Sequence, residues 1–300
     1  MQLSRLLSAG ALFLSFYTTA DPLYWLASKN QLQLMLLGSV HVGHPDMYPL
    51  PTPVMDFLHE SDGLIVEADI RQANTLQYPP VKWTSQQVLS PPQLQKLDSI
   101  ASQLKLNAQR LRQSPPWQTA ISLQMQVMNQ AGYQPELGID QYMIHQAETE
   151  SIPVIGLESL QSQIDILAGL DQDGKELLTS TLEEWGETTQ ETDCLVTSWH
   201  QGDLEQLKSL IDHHEMSQEM SRQLEIKRNH HWLEQLTSPP IFSPQPAKYL
   251  VVVGTLHLIG QENLIQLLKE QGFTVTRQNT IQNSECRISQ DNREHGQGTS

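Results

Sequence analysis

Basic residues are scarce: 18 Lys and Arg stand against 34 Asp and Glu in 300 residues, and the formal net charge is −16. No run of Lys or Arg offers a footprint for phosphates, which argues against nucleic acid and anionic membrane surfaces as partners. An acidic chain with carboxylates at a cleft attracts cations instead. Cysteine is almost missing as well. Cys194 and Cys286 are too few for a disulfide-built scaffold, and neither sits in a Cys-x-x-Cys metal or redox pair. One long-range bridge between them is the expectation. No Gly-x-Ser-x-Gly elbow occurs, which leaves serine-type hydrolysis without support.

Long hydrophobic runs are missing too. The N-terminal run "LLSAGALFLSFY" follows the single early charge of "MQLSR" and precedes the small-residue site "TTA". It is too short for a stop-transfer helix and reads as the h-region of a signal peptide over residues 1–20, with the mature chain starting near Asp21. The expectation is an exported protein, periplasmic or secreted, with no transmembrane segment after signal cleavage.

Strand-like and helix-like segments then alternate. "LYWLAS" and "LQLMLLGSV" flank a polar "KNQ" and suit a hairpin. "TPVMDFLHES" reads as a helix and "DGLIVEADI" as a strand, so the order strand–helix–strand predicts a βαβ unit. Ser90-Pro91-Pro92 and Ser114-Pro115-Pro116 are helix starts, and "GIDQYMIHQAETE" leads into the short strand "IPVIGLE". "KYLVVVGTLH", "GQENLIQLLKEQG" and "FTVTRQ" form a second strand–helix–strand unit. The fold class is therefore α/β, a mixed and mostly parallel sheet flanked by helices. It is a single domain over 21–278, with helical sections at about 90–150 and 160–236 inserted between the two strand units. A polar tail over 279–300 is expected to be loose.

Four apolar strands end near a polar residue: His41, Glu67, Glu158 and His257. Both histidines belong to Gly-x-x-His, in "LLGSVH" and "VVGTLH". Composition alone yields roughly 0.6 such matches, so the pattern matters only through its placement after apolar strands. The glycine is expected to end each strand and turn the chain. In a parallel sheet all carboxyl ends share one edge, where ligands bind between loops. Two imidazoles with one or two carboxylates suit Zn, Mn, Co or Fe in the divalent state. Each residue also has a plain structural reading. A histidine past a strand can bond a loop carbonyl, Glu67 can be a paired structural carboxylate, and Glu158 can cap the following helix. His44 lies close enough to be an auxiliary ligand. His213-His214 and His230-His231 diverge by a helical step and read as solvated faces. Arg228 and Asn229, by spacing alone, read as surface.

At these residues the chain resembles the TraB/GumN family, whose animal members include the Tiki proteins. The likeness rests on "LLGSVHVGHPDMYPLP…LHESDGLIVEADI", "LGIDQYMIHQA", "IPVIGLES", "RN" and "VVVGTLHLIGQENLIQLLKEQGFTV", in that order. It implies an α/β fold with an inserted helical section and a metal-dependent site built from His41 and His257. Glu67 and Glu158 stand at the family's acidic positions, and Arg228-Asn229 match a family pair. Asp140 falls in its Gly-Ile-Asp motif, in a helix-start or supporting role. Tiki-like members are described as metalloproteases, and a more distant similarity reaches a haem- or iron-binding protein of the ChaN type.

The expected activity is metal-dependent hydrolysis of a peptide or related small amide. His41, Glu67 and His257 would hold the ion, Glu158 would be the base, and Arg228 would steady the oxyanion. Asn229 would orient substrate. The two glutamates are interchangeable in this scheme. The rival is a non-catalytic envelope protein holding a metal, haem or peptide signal in the same crevice.

Overall fold

The computed structural model describes residues 20–186, 188–213, 216–242, 246–281, 283, 284 and 286. The export signal and most of the polar tail read from the sequence lie outside these residues.

Six strands form one sheet: β1 (Tyr24–Lys29), β2 (Leu32–Ser39), β3 (Gly63–Ala68), β4 (Val154–Glu158), β5 (Ala247–Gly254) and β6 (Thr274–Arg277). Their spatial order is β4-β3-β5-β2-β1-β6. β4, β3, β5 and β2 are parallel neighbours, whereas β1 runs antiparallel to both β2 and β6. The fold is α/β with a mixed, mostly parallel sheet. The β1–β2 hairpin turns at Asn30, whose φ of 54° is left-handed, a conformation that asparagine tolerates.

The first strand–helix–strand reading needs one amendment. β2 and β3 are parallel but do not touch, because β5 lies between them. Its residues pair Leu32–Ser39 on one side and Gly63–Val66 on the other. The physical reason is hydrophobicity: Leu250 to Val253 are fully buried, and a continuous apolar run belongs in a sheet centre covered on both faces. The covering helices contribute Val54 and Leu58, Ile139 and Met143, Trp232 and Leu236, and Leu264 and Leu268 to one core.

Much of the inserted helical region packs on itself. Leu97 and Ile100 of the helix Pro91–Gln103, Leu123 of Pro116–Gln130, and Leu178 and Leu182 of Lys175–Glu183 make a separate cluster. Ser90 caps the first of these helices in a capping box with Gln93. The second is capped by Pro115, and Ser114 instead closes the preceding helix Ala108–Gln113.

Cys194 and Cys286 are bonded to each other. Asn279 and Ser284 are also buried, and the Ser284 N–H donates to Asp203 Oδ2 at 2.6 Å. The start of the tail is therefore tethered where a loose chain was expected. A covalent bond and a few buried hydrogen bonds hold a segment whose composition supplies little apolar surface.

The two glycines of the histidine motifs also differ from expectation. Gly38 lies inside β2 and Gly254 is the last residue of β5, and neither has left-handed backbone. Glycine is required there by close approach, not by a turn. A Cβ on Gly38 would stand 2.8 Å from Thr255 Oγ1, which is anchored on the Ser39 carbonyl at 3.0 Å. A Cβ on Gly254 would stand 3.1 Å from Glu67 Oε1. Gly38→Ala is expected to cost about 1–3 kcal/mol by overpacking. A fall in the urea midpoint at constant m-value would show it.

Candidate functional site

The carboxyl ends of the four parallel strands do converge. Ser39 registers with Gly254 across β2 and β5, and Ala68 registers with Glu158 across β3 and β4. Glu67, in a strand buried along its whole length, points its carboxylate at this edge. The Gly254 N–H donates to its Oε1 at 2.7 Å, and Gly254 can come this close because it lacks a Cβ.

Arg228 occupies the centre. It lies in the helix Lys227–Leu236, which follows directly on a π-helical turn, Arg222–Ile226. Its Nη2 donates to Glu67 Oε2 at 2.6 Å and to Glu158 Oε1 at 2.5 Å, while Nε reaches both Glu158 oxygens. Its Nη1 donates to Nε2 of His257 at 3.1 Å and to the Leu224 carbonyl at 2.9 Å. The guanidinium lies over the ring of fully buried Trp232, 4.7 Å from the centroid, and Trp232 packs on His257 at 4.4 Å. Gln163 donates to Glu158 at 2.9 Å and to Glu67 at 3.3 Å. The surface position suggested by Arg228's spacing is thus replaced by a largely buried one.

Hydrogen bonding fixes both imidazoles. Arginine only donates, so Nε2 of His257 is the accepting nitrogen and Nδ1 carries the proton. That proton goes to Asn229 Oδ1 at 2.7 Å, and Asn229 is itself held by the Glu262 carbonyl. Asn229 is fully buried behind His257, where it orients the ring. His41 Nδ1 is 2.9 Å from Asp140 Oδ2, and the other Asp140 oxygen accepts from Ser39 Oγ at 2.8 Å. Asp140 is the second residue of the helix Ile139–Thr149. His44 stands apart: it caps the short turn Pro45–Met47 and contacts Asp46 and Tyr133. Glu158 does not cap the next helix, a task that falls to Ser159.

These contacts set the protonation states. Burial alone would raise Glu67, but His257, His41, Arg228 and the Gly254 N–H outweigh it and hold the group at about 2. Burial lowers His257 to about 4. The Asp140 charge and hydrogen bond raise His41 to about 9, although 69% of its side chain is exposed.

Does this set suit a divalent ion? Each ring commits Nδ1 to an oxygen, which is how ligating imidazoles are oriented, although Nε2 of His257 accepts from Arg228. An ionised carboxylate acts electrostatically on both rings. The donor chemistry therefore fits. Among the described residues, no three His, Cys, Asp or Glu are already gathered about one point, because Arg228 fills the space between His257, Glu67 and Glu158. Two cavities open on this cluster. One of about 230 Å³ includes His41, Glu67, Asp140 and Gln163, and the other, about 610 Å³, includes Glu158 and Arg228.

Gln163, Trp232 and the Gly254 N–H escaped sequence reasoning. Trp232 lies one helical turn past Arg228, and that spacing was the available signal. Gln163 lies on the first turns of the helix leaving β4, the usual place for a residue facing a strand-end crevice.

The shifts define a pH profile for the protein in chelator. An unfolded histidine gains its proton below about 6.5. His257 resists until about 4, so stability falls as pH drops through that window. The Glu67 contribution, complete above about 4.3, is lost as pH falls through about 2. The His41 contribution is complete below about 6.5 and is lost as pH rises through about 9; solvent screening makes this limb shallow. Urea midpoints measured across pH should show a steep acid limb and a gentle alkaline one, and Asp140→Asn should flatten the alkaline limb alone.

Comparison with known proteins gives the family. Residues 23–277 match the TraB/PrgY/gumN family. A protein of Escherichia coli strain K12, named YbaP and described as uncharacterized, is 33% identical over 235 residues, covering 78% of this chain and 87% of its own length. YbaP of Shigella flexneri matches to the same extent. No solved structure matches. The chain belongs to the TraB/PrgY/gumN family.

Proposed function

We propose that the chain is an exported, metal-dependent hydrolase acting on a peptide or related amide. The ion would be held by Nε2 of His41, Nε2 of His257 and the Glu67 carboxylate. One observation carries this reading: both imidazoles are tied through Nδ1, to Asp140 and Asn229, so that Nε2 is the nitrogen that would ligate, in His257 once the Arg228 N–H that it accepts is released. When bound, the ion supplies Lewis acidity, polarising a carbonyl oxygen and acidifying water.

The remaining work falls to the chain itself. Asp140 and Asn229 hold the two rings in the ligating tautomer. Glu158 takes the proton from the attacking water and returns it to the leaving amine. Its carboxylate lines the larger cavity, within reach of a bound substrate. Arg228, which now neutralises Glu67 and Glu158 together, would exchange one of these contacts for the oxyanion. Export is supported by the N-terminal sequence and by the Cys194–Cys286 bridge, which belongs to an oxidising compartment.

One observation favours the rival, a protein that binds a metal, haem or peptide signal without turnover. Both carboxylates are already satisfied by Arg228 and Gln163, as in a structural ion-pair cluster. Elemental analysis of the mature protein, followed by a peptide library with and without chelator, separates the two. The hydrolase reading expects bound metal that is lost in His41→Ala and His257→Ala. It expects Glu158→Gln to keep the metal while kcat falls about 100- to 10,000-fold. Wild-type turnover by Glu158→Gln would remove Glu158 as the base, and full metal content in both histidine variants would end the ligand assignment.

A further inference from the structure

The larger cavity at the strand ends has a character at odds with the rest of the chain. Its walls include Glu158, Ser159, Ser162, Ile166, Lys227 and His231, and it measures about 610 Å³, room for one or two amino-acid residues. The whole protein carries nearly two acidic groups for each basic one. The cavity reverses this balance. The one acid on its wall is Glu158, and its oxygens are taken by Arg228 and Gln163. Lys227 is in no ion pair with an acid among the described residues, so its charge is unneutralised on the cavity wall. Of the neighbouring acids, Asp165 accepts from Gln161, and Glu219 accepts from Gln223, itself on the cavity wall. The helix Leu160–Gly169 begins at this wall, and its amino-terminal dipole adds to the same sign.

A lysine on a cavity wall, next to a guanidinium and beside an apolar isoleucine, fits a compact anion carried on a short aliphatic body. We infer that this cavity is a carboxylate-binding subsite, in which Lys227 fixes a negatively charged group of the peptide next to the bond presented to Glu158. The inference rests on the hydrolase reading for its substrate class, but the subsite itself is defined by the cavity and Lys227. Two sources carry the same chemistry: the carboxylate at a peptide's end, or an Asp or Glu side chain. In either case Lys227 sets specificity.

Calorimetric titration of the full mature chain tests this with three probes: N-acetyl-dialanine, its carboxamide, and N-acetyl-aspartyl-alaninamide. The acidic probes should bind at least roughly tenfold more tightly than the neutral carboxamide, the worth of one charge-assisted hydrogen bond. Lys227→Ala should abolish that preference and Lys227→Glu should reverse it. Because Lys227 is exposed, unchanged melting curves should show that both variants fold. The acidic probe that binds more tightly identifies the source of the carboxylate. Equal binding of all three probes, no binding of any, or a preference that survives Lys227→Glu would overturn the subsite. The titration needs no turnover, so the two proposals fail separately. A lysine-dependent preference without hydrolysis would overturn the hydrolase and leave the subsite standing. Hydrolysis indifferent to substrate charge would do the opposite.

Discussion

Two buried carboxylates cannot remain charged side by side without a cation, and Arg228 is that cation. Its side chain is 15% exposed, against 6% for Glu67 and 7% for Glu158, so all three groups have given up most of their hydration. Desolvation on this scale is repaid by attraction only when geometry and hydrogen bonding are nearly complete. Here the cost is offset by paired contacts to Glu158 and one to Glu67, by Gln163, by the Gly254 N–H and by the Trp232 ring beneath. The arrangement joins the end of β3, the end of β4 and the helix Lys227–Leu236, which lie far apart in the chain. The crevice between the loops is held in shape by charge as much as by packing.

That dependence explains why the two Gly-x-x-His motifs look alike and yet act differently. β2 and β5 are offset by one residue, so Ser39, not Gly38, lies opposite Gly254. Gly38 makes room for Thr255, which stitches the two strand ends together. Gly254 makes room for Glu67 and also donates a hydrogen bond to it. His41 then follows on a solvent-facing bend, while His257 lies in the short helix Leu256–Ile259 and is buried against Trp232. One imidazole is raised by an aspartate in the open and the other is lowered by burial, so the two sit on opposite sides of neutrality.

The strand ends were legible because apolar runs terminating in a histidine or glutamate are a local signal. So were the hairpin, the proline-started helices and the fold class. Arg228 was not. "EIKRNHHW" carries charges at every helical phase, and only the sheet edge on which it lies shows which of them is buried. The insertion of β5 between β2 and β3 was equally hidden, since pairing between distant segments leaves no periodicity. The glycines misled because a small residue at a strand end usually signals a turn, whereas these answer to neighbours more than 180 residues away in sequence.

The position of β5 has a temporal consequence. This strand is among the last parts of the chain to be synthesised, yet it is the partner that β2 and β3, made early, both require. A ribosome that has not reached Ala247 has produced two strands with a gap between them, a Glu67 that lacks the Gly254 N–H, and no His257. Closing that gap depends on contacts of very long sequence separation, the kind that form slowly. The strand-end cluster is therefore the final thing this polypeptide builds, and no amino-terminal fragment can own it.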